Sequence, residues 1–163
     1  MVATVQIAEK NGAGGTLTDK TDGTIRFKNA DDATVDGNNR MSVPGSGSDW
    51  SFEKWVRMNV TVAPDVDIQN AEFYMDGTNN FGTGVSLWAK AVSSYATPAE
   101  GTASAGYADA FSYTSGSPLD LGSGPFTSTG EKADHVVLLM EVASTATNGS
   151  LTPEGMTIGW DET

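Results

Sequence analysis

His135 is the only histidine in a chain without cysteine, and it stands beside Asp134 at the head of the most apolar run in the sequence. With serines plentiful, these are the parts of a Ser-His-Asp triad, in which imidazole moves a proton and a carboxylate orients it. Neighbouring residues of a strand point to opposite faces, so Asp134 is misplaced to orient His135, and no Gly-x-Ser-x-Gly elbow presents a nucleophile. The pair reads as a strand-end histidine with a satisfied hydrogen bond. The lack of cysteine excludes thiol nucleophiles, thiolate zinc sites and redox pairs.

Oxygen side chains alternate through Asp31-Asp32-Ala33-Thr34-Val35-Asp36-Gly37-Asn38-Asn39. Counted from Asp32, Thr34 and Asp36 fall on the third and fifth positions of a calcium loop and Gly37 on its turn, but Val43 stands where the bidentate glutamate belongs. The segment is expected to be solvated turns, with no metal. Glycosidase chemistry needs only two carboxylates across a cleft. Glu72, Asp76, Glu141, Glu154, Asp161 and Glu162 supply candidates, yet no spacing selects a pair and few cations remain to orient a charged substrate. Gly12-Ala13-Gly14-Gly15 lacks the Gly-Lys-Ser/Thr that completes a phosphate loop and reads as a bend. The expectation is a protein that is not an enzyme and carries no cofactor. Trp50, Trp55, Trp88, Trp160, Tyr74, Tyr95, Tyr107 and Tyr113 offer an alternative use, stacking on sugars as in a carbohydrate-binding β-sandwich module or adhesin domain, although core packing is the commoner role of large aromatics.

The elements that must hold these residues are strands. Apolar residues recur with a period of two over Val2 to Ala8, Thr24 to Lys28, Arg57 to Val62, Ala71 to Met75, Val85 to Ala91 and Met156 to Trp160. His135 to Ala143 is apolar on both faces except at Glu141, the mark of a central strand. Trp88 lies on the face of its strand opposite Leu87, so one of the two is exposed or covered by a partner. Ser48 to Met58 and Glu131 to Val142 compete as helices, though the adjacent β-branched Val136 and Val137 favour strand in the second. Asp22-Gly23, Asp36-Gly37, Asp76-Gly77 and Asn148-Gly149 punctuate the runs as turns. Asn29 to Asp49, Tyr95 to Tyr107 and Ser112 to Gly130 are long loops rich in small residues, a length associated with function or ordering by a neighbour. The fold class predicted is all-β, an antiparallel β-sandwich or jelly roll, forming a single domain over 1–163 with 1–20 as an extended N-terminal arm.

The formal net charge is -12. Seven of the nine Lys and Arg lie at or before Arg57, leaving Lys90 and Lys132 against thirteen Asp and Glu in the remainder. So acidic a portion repels phosphates and anionic lipid, which argues against nucleic acid and membrane as partners. No basic segment followed by an apolar core opens the chain, and nowhere do about eighteen apolar residues run together. The chain is therefore expected to be soluble and leaderless.

In Trp55-Val56-Arg57-Met58-Asn59-Val60, Ile68 to Gly77, Gly84-Val85-Ser86-Leu87 and the closing Ile158-Gly159-Trp160-Asp161-Glu162, the chain resembles the small structural proteins of tailed-bacteriophage virions, above all head decoration or auxiliary capsid proteins. The resemblance lies in overall style across most of the chain. It implies binding to the outer surface of a capsid, with the major capsid protein as partner, a homotrimer as assembly state and the virion as location. On that reading the contact residues are Lys10, Lys20, Arg26 and Lys28 of the N-terminal arm, together with Trp55 and Trp88, while the acidic remainder faces solvent.

Overall fold

The computed structural model describes residues 2–163. It is all-β, with two antiparallel sheets. The strands are β1 (Thr4–Asn11), β2 (Thr16–Asp19), β3 (Ser48–Trp50), β4 (Lys54–Val62), β5 (Ile68–Tyr74), β6 (Val85–Val92), β7 (Ala108–Asp109), β8 (Leu119–Gly122), β9 (Gly130–Ala143) and β10 (Thr157–Glu162). A single 3-10 turn, Ala110–Ser112, is capped by the Asp109 carboxylate accepting from the Phe111 N–H. No helix among the described residues is long and apolar enough to cross a membrane.

The larger sheet runs β2-β1-β4-β9-β6-β7, with β3 pairing the far end of β9, and the smaller runs β10-β5-β8. One apolar cluster joins them. Val56, Met58 and Val60 of β4, Leu87 of β6 and Leu138 and Met140 of β9 pack with Ile68, Ala71 and Phe73 of β5 and Leu121 of β8. Period-two alternation places these side chains on one face, while Trp55, Arg57, Trp88, His135, Val137 and Leu139 fall on the other.

That second face is covered by the long segment after β6. The Gly101 N–H donates to the Ser51 carbonyl and the Glu53 N–H to the Ala99 carbonyl, laying the segment across the sheet. A Cβ at Gly101 would stand 2.6 Å from a Leu139 methyl, so a larger residue would have to displace that buried side chain. Burial on both faces explains why β9 is apolar throughout. Its register against β4 slips between Val56 and Met58, where Ala133 takes φ 63°. Arg57 fills this bulge, its Nε donating to the carbonyls of Lys132 and Ala133. The bulge lets Ala133 and Val136, three residues apart, both reach the same core.

Two expectations are corrected, and one competition between helix and strand is decided. Residues 4–19 are the β1–β2 hairpin, and β1 pairs with β4 from Val5 to Lys10, so this stretch belongs to the sheet and is not an extended arm. Where helix competed with strand over Ser48 to Met58, the stretch forms β3 and β4, because both find ladder partners on β9. Thr24 to Lys28 is irregular; Ile25 and Phe27 alternate because one side of the segment packs on the core, without strand pairing.

Candidate functional site

The N-terminal cations converge inside the molecule. Lys28 has no solvent exposure, and its Nζ donates to Asp32 at 2.7 Å and is paired with Asp36 at 2.7 Å. The Asp-rich segment thus wraps a cation, but the cation is the ammonium of its own chain. Asp32 and Asp36 also accept the N–H groups of Thr34 and Asn38. These hydrogen bonds, Lys28 first, hold both carboxyls below the usual carboxylate range. Burial works to lower the Lys28 pKa, but hydrogen bonds and charge from Asp32 and Asp36 outweigh it and leave the ammonium raised. Among the described residues no three His, Asp or Glu side chains gather as metal ligands.

A second ion pair lies beside the first. Lys54 and Glu9 are both fully buried, 2.9 Å apart, and Lys54 Nζ also donates to the Asp32 carbonyl at 2.6 Å. Lys20 approaches Glu9 at 3.7 Å and donates to the carbonyls of Thr24 and Ala33. Lys54, Lys20 and Lys28 therefore face Glu9, Asp32 and Asp36, a balanced set that ties residues 20–36 to β1 and β4.

Across the sheet, Lys10 donates to Glu131 at 2.7 Å, which Arg57 also reaches at 3.2 Å. Lys10 lies over the Tyr95 ring, 4.7 Å from its centre. Tyr95 and His135 both pack against Trp55, which is buried and donates its Nε1–H to Glu53. Glu53 also accepts from the Tyr107 hydroxyl, and burial followed by this bond drives the Tyr107 pKa far upward. Burial, then the charge of Asp31, raises Tyr95 to about 12.

His135 is fully buried, and its Nδ1 lies 3.2 Å from the Val92 carbonyl. A carbonyl only accepts, so Nδ1 carries the proton and Nε2 is left bare, without a hydrogen-bond partner. Burial first, then the Arg57 charge, lowers its pKa below 6.5. A group depressed in the folded state loses stabilisation as pH falls from its unfolded value. Folding stability should therefore decline from about pH 6.5 downward, before the carboxylates titrate. Urea unfolding of the His135→Gln variant should show a flatter pH dependence between about pH 7 and 5.5 than the parent. An identical slope in the two proteins contradicts this assignment.

Of the six residues expected at a contact face, Lys10, Lys20, Lys28 and Trp55 are thus engaged within the chain. Trp88 is half-buried, donating its Nε1–H to Glu141 at 3.2 Å, and Leu87 opposite it is in the core. Arg26 is exposed. Of the eight Trp and Tyr considered for sugar stacking, Trp160 is the exposed one.

Arg26 lies on a cleft of about 940 Å³ whose floor is the closed core, Phe73, Met75, Leu138 and Met140 being buried, whose partly exposed apolar lining includes Phe27, Met41, Phe81 and Met156, and whose rim is formed by residues 20–27, 40–43 and 146–156. A sealed void of that size would cost on the order of 20 kcal/mol at about 24 cal/mol per Å³. That exceeds the roughly 5–15 kcal/mol that stabilises a domain. The space is accordingly open to solvent, with Thr24, Arg26, Arg40, Ser42 and Thr147 to Pro153 exposed around it.

No protein-family model, curated protein or solved structure matches this chain.

A further surface feature was not legible from local patterning. Val2 and Val66 are 78% and 61% exposed, and Val62 and Trp160 are also exposed. Thr4 pairs with Val62, the Ala3 N–H donates to Glu162, and the Thr163 N–H donates to the Asp67 carbonyl. The start of β1, the β4–β5 turn and the end of β10 therefore meet, and Val2, Val62 and Val66 share that end.

Proposed function

We propose that the protein is a virion structural component that binds the outer surface of a phage capsid and stabilises it, working by buried area without catalysis. The observation that carries this reading is the exposed apolar set Val2, Val62 and Val66 at one end of an otherwise acidic chain. Exposed apolar side chains concentrated at one place favour a protein contact, and a few such anchors carry most of an interface's energy. The two sheets then form one β-sandwich domain whose loops are stiffened by buried ion pairs. The contact moves from the lysines to this end, and Arg26 remains the one N-terminal cation of that set without an internal ion pair. In this proposal the partner is the major capsid protein, the assembly is a homotrimer and the location is the virion.

Co-sedimentation with capsids lacking the protein tests it. Val2→Asp/Val66→Asp should weaken binding by at least about 30-fold while leaving thermal unfolding unchanged, because both side chains are exposed. Full binding by this variant sinks the assignment of the surface, and no binding by the parent sinks the function. The sugar-binding alternative rests on Trp160; glycan binding lost in Trp160→Ala would favour it instead.

A further inference from the structure

The cleft rimmed by residues 20–27, 40–43 and 146–156 shares no lining residue with the docking surface. Met41 and Met156 are partly exposed in the cleft lining, while Met75 and Met140 are buried beneath it. Thioether side chains are flexible and polarisable, and they shape themselves to an apolar chain better than branched ones. The volume falls within the range of small-molecule sites, in which an apolar wall supplies affinity and a few polar groups fix orientation.

The rim holds those polar groups. Among the described residues Arg26 and Arg40 form no ion pair, whereas Lys10, Lys20, Lys28, Lys54, Arg57 and Lys90 all do. Arg40 uses its Nε on the Gly37 carbonyl at 2.8 Å, leaving its terminal nitrogens without a hydrogen-bond partner. The rim also carries Asp22 and Glu154, the latter accepting from the Asn80 N–H, and Lys20, which is turned toward Glu9. In a chain of net charge -12, two unpaired guanidiniums beside one apolar cleft are a specific departure from the surrounding field. Guanidinium is also the side chain best matched to a carboxylate or phosphate head. Over the opening, Thr147 to Pro153 make no hydrogen bond among the described residues, and Leu151 from this stretch turns into the lining. Such a segment can shift to admit a chain without breaking backbone pairing.

We infer that the cleft binds a single-chain amphiphile with an anionic head, its tail against Phe27, Met41, Phe81 and Met156 and its head on Arg26 and Arg40. The inference stands independently of the capsid-binding proposal.

Titration with dodecanoate, dodecyl phosphate, dodecanol and dodecyltrimethylammonium below their micellar concentrations, followed by calorimetry and by the methionine methyl NMR signals, tests it. Saturable one-to-one binding of either anion is expected, with dodecanoate marking a free carboxylate ligand and dodecyl phosphate a phosphate head. The methyls of Met41 and Met156 should shift more than that of Met58, which does not line the cleft. Arg26→Gln/Arg40→Gln should weaken anion binding at least about tenfold and abolish the preference over dodecanol. Met41→Trp, which fills the cleft from its partly exposed side, should prevent binding, with thermal unfolding confirming that each variant is folded. Absence of binding by both anions, equal affinity for dodecanol and dodecanoate in the parent, or a preference for the cationic amphiphile overturns the inference. So does dilution alone producing the methyl shifts, which would place a second copy of the chain in the cleft.

Discussion

Deleting residues 1–12 should leave no cooperatively folded protein, whereas deleting only residues 1–3 should leave folding intact. The shorter deletion removes exposed Val2 and the Ala3 N–H bond to Glu162, both at the periphery. The longer one removes β1, which sits between β2 and β4 in the larger sheet. Its loss withdraws the partly buried Val5 and Ile7 from the core, strips β4 of a pairing partner and leaves β2 with none. It also removes Glu9, leaving the fully buried Lys54 without its carboxylate. Burying a side chain such as Ile contributes about 1.5–3 kcal/mol, and orphaning a buried charge costs roughly 3–5 kcal/mol. With two edges unpaired as well, the loss approaches the whole stability of a domain. Circular dichroism and thermal melts of the two truncations decide the matter. A 1–12 deletion that melts cooperatively would mean that the hairpin is an appendage after all. The short deletion also separates docking from folding, since it removes one of the three exposed valines without touching the ladder.

How much of this was readable in advance follows from which interactions are local. The runs in β4, β5 and β6 alternate because each strand has one face in the core, and β9 is continuously apolar because both of its faces are buried, so local patterning exposed all four directly. β2, β3, β7 and β8 have two to four residues each, too short to show a period, and they exist through their partners, which for β3 and β8 lie far along the chain. Ile25 and Phe27 show the opposite failure: alternation reports one-sided burial, and a packed irregular segment produces it without any pairing.

The cations were harder still. A lysine in isolation reads as solvated, because burying an ammonium without a partner is prohibitive. Each partner here is distant: Lys54 meets Glu9 across 45 positions and Lys10 meets Glu131 across 121. The spacing of Lys28 and Asp32, four residues apart, was the one local clue, and it sat inside a segment whose oxygen pattern pointed toward metal. The oxygens were placed correctly for a cation; its identity depended on Lys28 being drawn into the fold. The cleft was equally hidden, since its wall draws on β4, β5, β6 and β9 and its rim on loops with no periodicity.

The pair at the centre of that network offers the second large effect. Lys54→Met should destabilise the protein by roughly 3–5 kcal/mol, lowering the melting temperature by on the order of 10 °C. The methionine replaces the aliphatic stem but leaves the fully buried Glu9 with Lys20 at 3.7 Å as its remaining cation. It also frees the Asp32 carbonyl that Lys54 holds at 2.6 Å, loosening the segment that encloses Lys28. Glu9→Gln in the Lys54→Met background should recover part of the loss, because a neutral amide needs no counter-charge and can still accept from Asn11 Nδ2, now 3.4 Å from Glu9. A coupling of about 1–3 kcal/mol is the expected result of the double-mutant cycle. Raised salt should not rescue the single variant, since buried charges are poorly screened. Additive losses in the cycle would mean that Lys54 acts through the Asp32 carbonyl and packing alone. The measured coupling therefore separates charge compensation from loop anchoring as the reason this sheet tolerates a lysine with no access to water.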